Sequence, residues 1–187
     1  MFCNEKWTGR ANPVHFDPQT NGHIETAQPI EFAGNVCSPL WANLRVHHHC
    51  PYVKSIRDRI IRDVRELQQH GINSIAIMSN DPADYAEDSF DNMKLIAQQY
   101  DYPFPYVWDE TQQIAKDYGA VCTPDFFGFN ANMELQYRGR LDASRKEAAP
   151  DAQRELFNAM LQVAKTGQGP HEQLASMGCS IKWKDEA

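Results

Sequence analysis

Of the residues in this chain that could do chemistry, Cys50 has the most favourable setting. It lies in His47-His48-His49-Cys50-Pro51-Tyr52-Val53-Lys54. From Pro51 onward, apolar residues recur at Val53, Ile56, Ile60, Val64 and Leu67, steps of three and four that predict one buried helix face. Proline suits the first helical position, where no backbone N–H is needed. Cys50 is then the N-cap or its neighbour. Unpaired N–H groups and the positive end of the helix dipole favour a thiolate there, which is a nucleophile toward disulfides. The three adjacent histidines offer a second chemistry, because imidazole and thiolate suit Zn²⁺ or Cu. Adjacent residues of an extended segment point to alternating sides, so at most His47 and His49 share one with each other. A metal-binding variant using His47, His49 and Cys50 therefore ranks below thiol chemistry, and no metal and no cofactor is expected.

The other cysteines are Cys3, Cys37, Cys122 and Cys179. An odd count at irregular spacing does not read as a secreted disulfide framework, and a cytoplasmic, reducing location is expected. The plain reading of any one is a small buried hydrophobe. The 187 residues, 42% of them hydrophobic, suffice for one domain with a substantial core. A net charge of −7 argues against a nucleic-acid partner, since phosphate binding depends on clustered Lys and Arg. No apolar run has transmembrane length and no basic-then-apolar leader opens the chain, so no membrane role is expected.

The elements that must position Cys50 follow from pattern. Residues 1–39 are broken every few positions by Gly or Pro and read as an irregular N-terminal arm, with a hairpin turn allowed at Asn21-Gly22. Cys3, Cys37, His15 and His23 fall in this arm without ligand-like spacing. A domain over 40–187 follows. Leu40 to Val46 is a weak strand, and the Pro51 helix runs to about His70 with Gly71 as its stop. Ile72 to Met78 is a buried strand. Ser89 caps a helix to Tyr100 that buries Phe90, Met93, Ile96 and Ala97. Asp109 to Tyr118 is a short helix with Thr111 as cap. Asp109-Glu110 there complements the dipole rather than forming a catalytic carboxylate pair. Phe126–Phe129 and Leu135–Arg138 flank a turn at Asn130-Ala131-Asn132. A last helix from about Pro150 to Thr166 turns Leu156, Met160, Leu161 and Ala164 inward. Strands alternating with helices, then a hairpin and a closing helix, give an α/β fold with a mixed sheet.

Several short motifs sharpen this. Cys-Pro-Tyr-Val-Lys at 50–54, Ser-Asn-Asp at 79–81, Glu-Asp-Ser at 87–89 and Tyr-Pro-Phe-Pro-Tyr at 102–106 occur in order. They are followed by Asp-Glu-Thr-Gln at 109–112, Tyr-Gly-Ala at 118–120, Cys-Thr-Pro-Asp-Phe-Phe at 122–127, Tyr-Arg-Gly at 137–139 and Gly-Cys-Ser-Ile-Lys-Trp-Lys at 178–184. Over about 49–187 the chain resembles the thioredoxin-like group related to the AhpC/TSA peroxiredoxins. The resemblance implies a thioredoxin-like fold, a central mixed sheet flanked by helices. It implies a cis Thr123-Pro124 bond whose loop faces the start of the active-site helix, with Pro51, Thr123 and Pro124 shaping a substrate groove. It further implies a thiol–disulfide oxidoreductase or antioxidant protein acting on protein or small-molecule thiols and disulfides, with peroxides as a further class.

Two departures bear on the chemistry. The family usually opens its helix with Cys-Asn-His-Cys-Pro, whereas the first of those cysteines is here His47. An internal Cys-x-x-Cys disulfide cannot form, so Cys50, the expected nucleophile, needs a resolving thiol from elsewhere. The resemblance makes Cys122 the first choice and Cys179, in the tail, the second. The Pro-x-x-x-Thr-x-x-Cys pattern of a peroxidase is also absent, with Asn43 and His47 at its Pro and Thr positions. Arg138 or Arg145 could assist a thiolate if close, though a solvated surface charge is the preferred reading. The competing functional reading is a redox-inactive binding protein that keeps the groove.

Overall fold

The computed structural model describes residues 24–26, 40–45, 50–83, 85–144, 147–149 and 151–184, with side chains from Cys50 onward. The Asn21-Gly22 turn, Cys3, Cys37, His15, His23, the three histidines at 47–49 and Arg145 lie outside the described residues.

Within these, strands β1 (Ile24–Thr26) and β2 (Leu40–Arg45) precede helix α1 (Pro51–Gln69) and strand β3 (Ile72–Met78). A 3₁₀ turn at Ala86–Asp88 leads into α2 (Phe90–Gln99), then β4 (Tyr106–Asp109) and α3 (Gln113–Asp117). The chain closes with β5 (Cys122–Thr123), β6 (Asp125–Phe129), β7 (Leu135–Gly139), α4 (Glu155–Thr166) and β8 (Cys179–Ser180). Six strands form one sheet in the order β1-β4-β3-β2-β6-β7, and β5 and β8 form a separate two-stranded ladder. β2, β3 and β4 are parallel, and β1, β6 and β7 join antiparallel. This mixed sheet with helices packed against it is thioredoxin-like.

The spacing that predicts α1 is the spacing the core uses. Val53, Ile56, Ile60, Val64 and Leu67 are all buried, and so are Met93 and Ala97 of α2. Each of the larger side chains among these, Ala97 aside, contributes about 1.5–3 kcal/mol as an upper bound. Gly71 ends α1 at a φ of 74°, in the left-handed region that glycine enters without penalty. Ser89 caps α2 by accepting from the Asn92 N–H at 3.4 Å. In the β6–β7 turn, the Asn130 side-chain oxygen accepts from the N–H groups of Asn132 and Glu134, each at 3.0 Å.

Three expectations shift. β2, weak in sequence, is a central strand between β3 and β6, because two hydrogen-bonded neighbours override modest intrinsic propensity. Ile24–Thr26, inside the irregular arm, pairs with β4 as the sheet's edge. The inward face of α4 is Leu156, Phe157, Ala159, Met160 and Val163, while Leu161 is half-buried and Ala164 exposed. That helix starts at Glu155, so its buried stripe is set by packing on β6 and β7 rather than by a start near Pro150.

Candidate functional site

Cys50 is the N-cap of α1, with Pro51 following at the first helical position and the Lys54 N–H donating to the Cys50 carbonyl at 3.0 Å. The thiol makes no capping hydrogen bond to the helix's own N–H groups. Its Sγ lies 3.6 Å from the Thr123 carbonyl oxygen, to which it donates, and 2.9 Å from the Sγ of Cys179. Cys50 is fully buried, at 0% exposure, and packs in the main core cluster with Val53 and Ile56. Cys179 is only partly buried.

The carbonyl beside Cys50 belongs to the last residue of β5, and the Thr123-Pro124 peptide bond that leads from it into β6 is cis. Thr123 and Pro124 are both buried, whereas Pro51 is exposed beside them. β5 carries a partner strand that no periodicity in the tail announces. β8 pairs with it antiparallel, setting Cys122 opposite Ser180 and Thr123 opposite Cys179. Directly opposed residues of an antiparallel ladder stand about 4.5–5.5 Å apart, close enough to fix the height of a side chain. Gly178 is required for this approach. A Cβ built on it would overlap the Thr123 carbonyl oxygen and crowd the Pro124 nitrogen. Glycine thus lets the tail lie flat on the loop and brings the next residue, Cys179, over Cys50.

The tail is anchored on both sides of that contact. Upstream, the Arg140 N–H donates to the Leu174 carbonyl at 3.0 Å, and the Ser176 hydroxyl donates to the Gly139 carbonyl at 2.6 Å. Downstream, two buried amides act as clamps. Asn80 Oδ1 accepts from the Lys182 N–H at 3.1 Å, while its Nδ2 donates to Asp88 at 3.0 Å. Gln112 Nε2 donates to the carbonyls of Ser79 and Lys182, both at 2.7 Å, and its Oε1 accepts from the Lys184 N–H at 2.8 Å. Both amides are 2% exposed, so losing these partners would strand polar groups away from water. Asp109 steadies the base of the clamp. Its carboxylate accepts from the Ser79 hydroxyl at 2.8 Å and from the Ala115 N–H at 2.9 Å, at the start of α3. Asp109, expected to open a helix capped by Thr111, instead ends β4; α3 begins at Gln113 with Gln112 as its N-cap, and the Asp109 carboxylate reaches it from the strand while linking the ends of β3 and β4.

The thiol the structure sets on the Cys50 sulfur is Cys179, the second choice from sequence. Cys122, the first choice, is buried with its Sγ 3.9 Å from the Pro124 carbonyl and 4.0 Å from that of Ser176. Arg138 is engaged with the Gly119 carbonyl at 2.7 Å and with Asp125 at 3.4 Å, and lies over the Phe127 ring. Sequence reading missed Asn80, Gln112 and Gly178 as positioning residues. Their signal was available: all three stand inside the Ser-Asn-Asp, Asp-Glu-Thr-Gln and Gly-Cys-Ser-Ile-Lys-Trp-Lys motifs, the first two at strand ends.

Residues 40–138, spanning β2 to β7, match the AhpC/TSA family. The chain belongs to that family. No curated protein matches it. Among solved structures, this AhpC/TSA chain is similar to an uncharacterised conserved protein from Geobacillus kaustophilus, with 41% identity, 79% of each chain covered and a TM-score of 0.73. It is also similar to a hypothetical protein from Sinorhizobium meliloti 1021, with 31% identity, 80% of this chain and 82% of that one covered, and a TM-score of 0.73. Peroxiredoxin Q from Xanthomonas campestris is a more distant likeness at 11% identity and a TM-score of 0.48, covering 68% of this chain and 78% of that one. Among the described residues, no helix is long and apolar enough to cross a membrane.

Proposed function

We propose that this AhpC/TSA-family chain is a thiol-dependent oxidoreductase whose redox centre is the Cys50–Cys179 pair beside the Thr123-Pro124 loop. The observation that carries the reading is the 2.9 Å approach of the two sulfurs, from residues 129 positions apart. Joining the two thiols releases two electrons and two protons. A substrate disulfide that takes them up becomes two thiols. Disulfides are favoured over peroxides as substrates because Asn43 and His47 replace the Pro and Thr that would hold a peroxide. Protein and small-molecule disulfides are the substrate class, and an external dithiol restores the reduced pair. Pro51 is exposed beside the centre, and the buried Thr123, next to the buried Pro124, meets it through its carbonyl.

The test is redox titration. The protein is equilibrated in glutathione buffers of increasing oxidation, quenched with acid, alkylated and mapped by mass spectrometry. A Cys50–Cys179 disulfide is expected, together with an acceleration of insulin reduction by dithiothreitol, above the uncatalysed rate, that Cys50→Ser abolishes. If both cysteines stay fully alkylatable in the most oxidising buffer, the redox reading fails and the binding-protein reading takes its place.

A further inference from the structure

The pair is not symmetric in access, and the asymmetry assigns the two sulfurs different tasks. Cys50 is at 0% exposure, enclosed by α1, the Thr123 carbonyl and the Cys179 side chain itself. Cys179 is partly buried, and its neighbours Met177 and Ser180 are exposed. Disulfide exchange needs three sulfurs close to a line, with the leaving group opposite the attacking thiolate. A substrate half attached to Cys50 would have to fit where the core leaves no room. Attached to Cys179, the same group projects outward, and Cys50 stands 2.9 Å behind the sulfur to be attacked.

We infer that Cys179 is the thiol that meets the substrate disulfide and that Cys50 resolves the adduct from beneath. This rests on the reading of the pair as a redox centre and reverses the order drawn from sequence, in which Cys50 attacks first. The Cys179 thiolate, its proton lost to solvent, attacks one sulfur of R–S–S–R′. A Cys179–S–S–R bond forms, the substrate S–S bond breaks, and R′–S⁻ leaves and takes up a proton. Cys50 then attacks the Cys179 sulfur. Its own proton passes to the departing R–S⁻, the Cys50–Cys179 disulfide forms, and the mixed disulfide breaks. Two electrons have moved from the protein to the substrate. An external dithiol reverses both steps, entering at Cys179 and releasing Cys50. The tail is thus a catalytic strand rather than a cover. Gly178, Asn80 and Gln112 are positioning residues that act through it.

Single-cysteine trapping separates the two orders. Full-length Cys50→Ser and Cys179→Ser proteins are exposed to glutathione disulfide, and the adducts are located by peptide mapping at successive times. In Cys50→Ser, a stable glutathione adduct is expected on Cys179. In Cys179→Ser, the adduct on Cys50 is expected to form at least about tenfold more slowly, because the sulfur must first be uncovered. Cys50→Ala, which introduces no hydroxyl into the buried position, repeats the first arm with a thermal melt as the check on folding. Rapid labelling of Cys50 in Cys179→Ser, with Cys179 inert in both Cys50 variants, would overturn the assignment. The wild-type disulfide would still stand in that case. Its absence would instead sink the redox centre as a whole.

Discussion

At the C-terminal half of α1, Asp63 is 1% exposed and accepts from Arg62 at 2.8 Å and from Arg154, at the head of α4, at 2.9 Å. Arg154 also bridges to Glu66 at 2.8 Å and lies 3.8 Å over the Phe157 ring. At the other end of the same helix, the Cys50 sulfur meets the Thr123 carbonyl and the Cys179 sulfur. Both ends are buried, yet one is fixed by charge and the other by contacts that chemistry can remake. Charge-assisted hydrogen bonds are roughly twice as strong as neutral ones. Sulfur is a weak donor and a weak acceptor. On the proposed reading, the helix therefore has a structural end and a reactive end. The tail that covers Cys50 is fastened by neutral amides at Asn80 and Gln112.

The largest break in this comparison is expected from Asp63→Ala. It leaves the Arg154 guanidinium short of its buried partner and should cost about 3 kcal/mol of stability, discounted for the partial exposure of both arginines. Denaturant unfolding measures that loss, and disulfide formation between Cys50 and Cys179 should be unaltered in the folded fraction. A loss below about 1 kcal/mol would mean that the charged end does not anchor the helix.

Gly178→Ala should act at the opposite end. Its methyl group cannot coexist with the Thr123 carbonyl, so the tail must lift, at a cost of about 1–3 kcal/mol. Stopped-flow quenching in oxidised glutathione should show closure of the Cys50–Cys179 disulfide slowed by about tenfold or more. Equal closure rates would show that the tail does not depend on this close approach.

The pH profile should give the smallest effects and the cleanest separation. Burial raises the hydroxyl pKa values of Tyr102, Tyr106 and Tyr137. A raised folded-state value contributes stability that is complete below the ordinary tyrosine range and is lost as pH climbs through the folded value. Stability should accordingly fall from about pH 10 upward. On the acid side, the hydrogen bond from Arg154 holds Glu66 below the ordinary glutamate value. That contribution is present above the ordinary value and disappears as pH drops through the lowered one. With the Glu66 side chain 40% exposed, it is small. Between these limits thermal melts should be nearly flat, while thiol exchange should accelerate with pH as thiolate accumulates.

Legibility differed by element for physical reasons. α1 was readable because one face of a 19-residue helix repeats its burial at 3.6-residue intervals and its ends carry Pro51 and Gly71. The buried stripe of α4 was half readable, since only the packing of Phe157, Ala159 and Val163 against the sheet set its rotation. β5 and β8, at two residues each, were not readable at all. Such strands have no period, and their register comes from pairing across 56 positions of sequence.

The amino-acid order alone settled that a thiol would open a proline-started helix, that the fold would be thioredoxin-like, and that the usual first cysteine is replaced by His47. It could not choose the second sulfur. Cys122 and Cys179 each lie far from Cys50 along the chain, and a thiol's neighbours across such distances depend on strand pairing, a glycine-sized gap and two buried amides. Tertiary structure brought Cys179 to 2.9 Å and left it the more open of the two, because side-chain proximity and access are properties of packing rather than of local pattern.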